Sequence, residues 1–304
     1  MTRVRLGINN CFAVKRWPEP FEWTRIISEE LELKLVQFSY DLLDPRTPEP
    51  ILSLMVEEIK GNIEEYGLEL HSTFTGLVAY SLNLLGHPNP LMRADAFNWY
   101  SHAIRVARDL AASATGGHMA SLSYRDWINV ERRERMVKCI IDSIADLSHL
   151  ARRYGLKMLL WEPMPLPREP PHTIDEAKSL LREVEKKARI PVRLCIDLGH
   201  ACSWDIKEGR DRDLYAWLEE LAQLSPAIHV QQTDGKADRH WPFTKEYNER
   251  GVVKPDKVLE AIDRSGASEV FLFLEVIHPF EACDEKVLRD LKESVKYWME
   301  YVQP

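Results

Sequence analysis

The chain has 304 residues, 45% of them hydrophobic and 29% charged, with a formal net charge of −8. That is the composition of an ordinary globular protein long enough to bury a large core; no apolar run approaches the ~18 residues of a membrane span, and MTRVRLGINN shows no signal peptide, so a cytoplasmic protein is expected. The acidic balance argues against a protein that wraps nucleic acid, and five cysteines without a CxxC pair argue against a disulfide framework or a thiolate zinc site.

In chain order, a strand over 4–8 (VRLGI) precedes a helix over 20–31, and a strand over 34–40 (KLVQFSY) precedes a helix over 48–66. A strand over 68–74 (LELHSTF) is followed by a helix over 90–111, and a weaker strand over 114–121 by a helix over 130–154. The remaining pairs are 156–163 (LKMLLWEP) with 173–188, 192–199 (VRLCIDLG) with 211–224, 227–233 (AIHVQQT) with 255–265, and 269–277 (EVFLFLEVI) with 284–301. Short runs rich in Val, Ile, Leu and Phe suit strands buried on both faces. Met136, Ile140, Ile144, Leu147 and Ala151 share one helix face at spacings of three and four. Thr173 with Glu176 reads as a capping box, and Gly67, Gly155 and Gly266 stand where helices stop. Eight alternations without a linker or low-complexity segment predict an α/β fold, one (β/α)8 TIM barrel over residues 1–304.

Active sites of such barrels lie at the C-terminal strand ends. Glu162 in MLLWEP, Asp197 in LCIDLGH, His229 in AIHVQQTD and Glu275 in LFLEVIH stand there at intervals of 35, 32 and 46 residues, about one strand and one helix each. Carboxylates with a neutral imidazole suit Mn²⁺, Mg²⁺, Co²⁺ or Zn²⁺. Other strand ends carry Asn9, Asn10, Tyr40, Asp41, His71, His118, His200, Gln231, Gln232 and His278. One such residue in an apolar run is more often a satisfied core group than a ligand. All of them on one rim, without a cation to balance them, would be costly. In DLGH, Gly199 permits a tight turn that lands His200 three residues after Asp197. PMPLPREPPH over 163–172 reads as a stiff loop over the site, and Trp17 and Trp241 as loop aromatics able to close the site against water.

With these residues the chain resembles the xylose-isomerase-like barrel superfamily, which includes ketose 3-epimerases, hydroxypyruvate isomerase, inosose dehydratase and type IV apurinic endonucleases. The resemblance implies one divalent metal, Mn²⁺ first, held by Glu162, Asp197, His229 and Glu275. It also implies epimerisation or isomerisation of a ketose or ketose phosphate. Glu162 and Glu275 would then pass a proton through a metal-stabilised cis-enediolate, as general base and acid with Lewis-acid help. HSTFTGLVAYSLNLL and QQTDGKADRHWPF look most like the erythrulose-phosphate 3-epimerase type. His71, His118, His200, Lys236, Arg239 and His240 would reach substrate, with Arg125, Lys236 and Arg239 as phosphate candidates, although Gly235 stands where free-sugar epimerases place an Arg. Relatives pair their barrels, so a homodimer or homotetramer is expected. The alternative is a zinc phosphodiesterase acting on abasic DNA, with His71, His118, Asp238 and His240 as extra metal ligands, and LNLLGHPNPLMR resembles that branch. Against it stand Asn9-Asn10 in place of a histidine motif, Met119-Ala120 after His118, and Trp241-Pro242-Phe243 after His240.

Overall fold

Short apolar strands that carry no alternation must bury both faces, and a barrel wrapped in helices does this. In the computed structural model, which describes residues 2–202 and 207–302, the strands are β1 (Arg3–Asn9), β2 (Leu35–Ser39), β3 (Glu69–Phe74), β4 (Ala114–Gly117), β5 (Met158–Trp161), β6 (Val192–Asp197), β7 (Ala227–Val230) and β8 (Glu269–Leu274). All pair in parallel and close as β1-β2-β3-β4-β5-β6-β7-β8, one TIM barrel. Closure comes from the β1–β8 ladder, Arg3 opposite Glu269 through Ile8 opposite Leu274.

The interior is filled by Leu35, Phe74, Ala114, Leu160, Cys195, Ala227 and Phe273. A larger core lies between strands and helices, where Met136, Ile140, Ile144, Leu147 and Ala151 are all buried on their helix, Val130–Arg153. The other long helices are Ile51–Glu65, Pro90–Asp109, Ile174–Glu185, Leu214–Leu221, Pro255–Arg264 and Asp284–Met299. Gly67, Gly155 and Gly266 take φ of 62°, 82° and 76°, the left-handed region that ends helices.

Three local expectations are corrected. The first helix, Pro20–Arg25, passes into a π turn over Ile26–Glu30. Thr173 does cap the helix Ile174–Glu185, but Glu176 reaches the backbone N–H of His172 rather than closing a box on Thr173. Several strands stop two to four residues early, so His118, Glu162 and Gln231 stand in the loops just past β4, β5 and β7. Short helices fill some of those loops, at Leu77–Tyr80, Tyr124–Ile128, Leu198–Ala201 and Lys245–Arg250. None of the described helices is long and apolar enough to cross a membrane.

Candidate active site

Glu162 and Glu275 each follow directly after a strand, and Asp197 is register partner to His229 across the β6–β7 ladder. Parallel pairing therefore brings four groups from strands 32 to 46 residues apart to one rim. One ligand atom from each of Glu162, Asp197, His229 and Glu275 lies within 4.8 Å of the others, and all four residues are buried. His229 Nδ1 is 3.0 Å from Glu275 Oε2, 3.4 Å from Glu162 Oε1 and 4.0 Å from Asp197 Oδ2. Yet Nδ1 and Asp197 Oδ2 make no aligned hydrogen bond although both are buried. Unsatisfied donors and acceptors in a core are rare and costly. Here they converge on one point, as ligands to a cation would.

The electrostatics agree with that fit. Burial pushes the Glu162 and Asp197 carboxyls up. Burial acts on Glu275 in the same sense, but His229, His240 and His200 outweigh it and bring that carboxyl down to about 2. Three carboxylates around one imidazole leave negative charge that a divalent ion would balance.

The DLGH turn builds the next layer. Asp197 Oδ1 accepts the backbone N–H groups of Gly199 (2.7 Å) and His200 (2.9 Å), which leaves Oδ2 for the cluster. Gly199 is needed for space, since a Cβ there would lie 2.4 Å from the Gln231 side chain. Gln231 Nε2 donates to Asp197 Oδ1 at 2.8 Å and to Asp238 Oδ1 at 2.7 Å, joining two groups of ligands. Asp238 Oδ2 lies 3.1 Å from His240 Nε2 and 3.3 Å from His200 Nε2, and these three residues form a second cluster within 4.8 Å. The remaining ring nitrogens face backbone carbonyls, His200 Nδ1 that of Pro163 and His240 Nδ1 that of Glu275, both at 3.2 Å. With an acceptor at every nitrogen, both rings hold protons. Burial lowers them, but Asp197 and Asp238 raise His200 well above its usual value, and Asp238 leads in raising His240 to about 10.

Above the carboxylates lies a cavity of about 110 Å³, walled by Cys11, Asp41, Thr75, Gly76, Leu77, Tyr80, His118, Glu162, Met164, His200, Asp238, His240, Glu275 and Ile277. The short helix Leu77–Tyr80 turns Leu77 and Tyr80 toward it. Its other face, Val78 and Ala79, lines a larger cleft of about 340 Å³ that touches none of the four cluster residues. Asp41 anchors the segment by accepting the N–H groups of Leu77 (2.7 Å) and Val78 (3.2 Å). His118 is in the wall with both ring nitrogens unpartnered, and burial takes it down to about 4, so it is neutral.

Other expected site residues are elsewhere. The β2–β3 register slips between Val36 and Gln37, and the extra residue is His71, so Ser72 rather than His71 stands level with Gln37. His71 lies low in the barrel, its ring 4.5 Å from that of Phe271 and 5.3 Å from that of Phe273. It lies in neither of the two clusters and does not line the cavity, so of the expected extra set His118, Asp238 and His240 share that wall and His71 stands apart from them. Arg239 is spent on Asp234, through two contacts of 3.1 Å, and stacks over Trp241. Lys236 lines a separate surface pocket with Arg212 and Tyr215. Arg125 is exposed beside Asp126, and His278 pairs with Asp290 at 3.0 Å. Trp17 packs on Phe12, and Trp241 on Tyr247. The proline-rich loop is pinned to the barrel top by Trp161 Nε1 on the Pro170 carbonyl (3.1 Å) and adds Met164 to the wall.

The position of His71 makes a pH prediction. Burial lowers its imidazole from 6.5 to about 4, so between those values the unfolded chain takes up a proton that the folded chain refuses. Its contribution to stability is whole above pH 6.5 and is lost as the pH falls toward 4, about 3 kcal/mol for a shift of this size. Denaturant titrations at pH 7 and pH 4.5 should show His71→Leu losing less stability on acidification than the parent; equal losses count against this account.

Four residues near the site escape sequence reasoning. Gln37 is an amide inside an apolar strand, Tyr80 ends a one-turn helix and Met164 sits in a loop, both with paths set by tertiary contacts, and Glu169 hides among prolines. Glu169 is buried, and burial pushes its carboxyl up to about 7. Gln37 leaves a signal as a lone polar residue in KLVQFSY, and Met164 and Glu169 only as members of the proline-rich loop expected over the site.

A sequence profile for the xylose isomerase-like TIM barrel matches residues 28–300. A putative xylose isomerase from Rhodospirillum rubrum, a crystal structure, superposes with a TM-score of 0.92 at 35% identity, over 99% of this chain and all of that one. A D-erythrulose 1-phosphate 3-epimerase from Brucella abortus is 28% identical over 98% of this chain and 96% of its own length. D-psicose 3-epimerase from Clostridium cellulolyticum shares the fold, with a TM-score of 0.72 at 14% identity over 99% of this chain and all of that one. The closed barrel, the rim of acidic and imidazole side chains and these similarities agree: the chain belongs to the xylose isomerase-like TIM barrel family.

Proposed function

We propose that this protein is a divalent-metal-dependent 3-epimerase of a ketose or ketose phosphate. The observation that carries the reading is the convergence of Glu162, Asp197, His229 and Glu275 beneath a small cavity, with ligand atoms within 4.8 Å and two of them orphaned. The similarity to the Brucella epimerase supplies the substrate class, with the phosphate resting on that likeness. The oxygen and nitrogen donors suit Mn²⁺, with Mg²⁺, Co²⁺ or Zn²⁺ as the other candidates. A bound ion of this kind supplies Lewis-acid stabilisation of the oxygen charge that develops when a proton leaves the carbon beside the carbonyl.

The protein's own groups do the rest. Asp197 Oδ2 and His229 Nδ1 would hold the ion. Glu162 and Glu275 approach from β5 and β8, and their environments push the two carboxyls apart, Glu162 upward and Glu275 downward. A pair tuned in opposite senses divides naturally into acid and base. In one direction Glu275 takes the proton from the substrate carbon and Glu162 returns one from the opposite face; in the reverse direction the roles exchange. Charged His200 and His240 and neutral His118 orient sugar oxygens in the wall, and Tyr80, Leu77, Met164 and Ile277 keep water from the path of the proton.

The test is exchange in D₂O. With Mn²⁺ present, ketoses of four to six carbons and their 1-phosphates are incubated with the protein. A ketose recovered with deuterium at C3 and its epimer beside it is the expected result. No exchange into any of them removes the reading.

A further inference from the structure

The imidazole of His229 can offer Nδ1 to a cation only if its proton sits on Nε2, and a chain of hydrogen bonds from the main chain sets that choice. The Cys11 backbone N–H, a donor without ambiguity, points at Asn9 Oδ1 at 2.9 Å. Asn9 must therefore turn its Nδ2 the other way, where it donates to Gln37 Oε1 at 2.9 Å and to Glu275 Oε1 at 3.2 Å. Gln37 must then present its oxygen on that side, and its Nε2 donates to Ser72 Oγ at 3.0 Å. The same Gln37 oxygen lies 2.6 Å from His229 Nε2, so that nitrogen has to carry the proton. Register supports the geometry: Asn9 pairs with Gln37 across β1–β2, and Gln37 with Ser72 across β2–β3. Asn9, Gln37, Ser72 and His229 are all buried at 1% exposure or less, so water cannot replace a missing partner.

We propose that Gln37, oriented by Asn9, is a positioning residue that fixes the tautomer of His229 and leaves Nδ1 as the lone pair that binds the cation. The inference rests on the metal reading given above. Asn9 extends the same control to Glu275, because its hydrogen bond occupies Oε1 and leaves Oε2 facing His229 Nδ1. Ligand histidines are oriented in this way by an acceptor on the far nitrogen, and loss of such a partner costs about 10–100-fold in metal affinity.

Mn²⁺ is titrated calorimetrically into the parent protein, Gln37→Met and Gln37→Glu, each first checked for a native melt. Methionine keeps the length but offers no oxygen to Nε2, so binding should weaken about 10–100-fold. Glutamate restores an acceptor at the same reach and should return affinity to within a few-fold of the parent. Tight parental binding with an unchanged Gln37→Met overturns the inference and leaves the metal reading intact. No binding by the parent overturns both. A second measurement needs no variant at position 37. In ¹⁵N-histidine-labelled protein loaded with Zn²⁺, with the His229 signal identified by its absence in His229→Gln, the proton should be found on Nε2. A proton on Nδ1 overturns the inference.

Discussion

Glu275→Gln is expected to lower kcat by about 10²–10⁴-fold, the contribution of a positioned general acid or base, and to end deuterium exchange into the substrate. The carboxamide keeps the size of the side chain and one oxygen, but it cannot take a proton at the reacting carbon. Burial pushes Glu275 up, but the imidazoles around it, the charged His240 and His200 among them, hold it down, so it is ionised at neutral pH and able to act as a base. Because the same residue belongs to the ligand cluster, turnover is measured at Mn²⁺ concentrations shown to saturate the variant. Near-normal turnover under those conditions eliminates Glu275 as the proton-transfer group. The complementary change, Glu162→Gln, acts on the carboxyl that burial raises.

Removal of divalent ions should have an effect as large. Dialysis against EDTA is expected to abolish turnover, and Mn²⁺ to restore it. The protein should also melt several degrees lower, since a ligand present at about 1,000 times its Kd stabilises the folded state by about 4 kcal/mol. The physical reason is the burial of Glu162, Asp197 and Glu275 around His229, with Nδ1 and Asp197 Oδ2 unpartnered. Calorimetric melts with and without Mn²⁺ check the second effect and need no substrate. Turnover and melting temperature indifferent to the chelator would exclude a bound cation from both catalysis and stability.

Much of this was legible in residues alone. Strands buried on both faces are written as short apolar runs, so eight of them could be counted, even though β4 is only Ala114–Gly117. That strand hides because its glycines are demanded from outside: a Cβ on Gly116 would lie 1.9 Å from the Leu160 carbonyl of β5. Glu162, Asp197, His229 and Glu275 were visible because ionisable groups at the ends of apolar runs need a reason to be there.

The tertiary structure decided the rest. His71 stood in an apolar run like Glu162, Asp197, His229 and Glu275, but one extra residue in the β2–β3 ladder leaves it among Phe271 and Phe273; a bulge changes the phase of a strand without leaving a mark in composition. Lys236 and Arg239 were placed by proximity in sequence, yet a loop is aimed by its contacts, and Asp234 takes the guanidinium away from the cavity. Gln37 shows the same limit from the other side. Its spacing relates it to nothing, and it reaches His229, 192 residues away, only because closing the barrel brings β2 and β7 to face a common interior. Strand existence and the cluster of acidic and imidazole groups follow from local burial and charge, which a sequence records residue by residue. Which polar groups meet depends on register and barrel closure, which no short window of sequence contains.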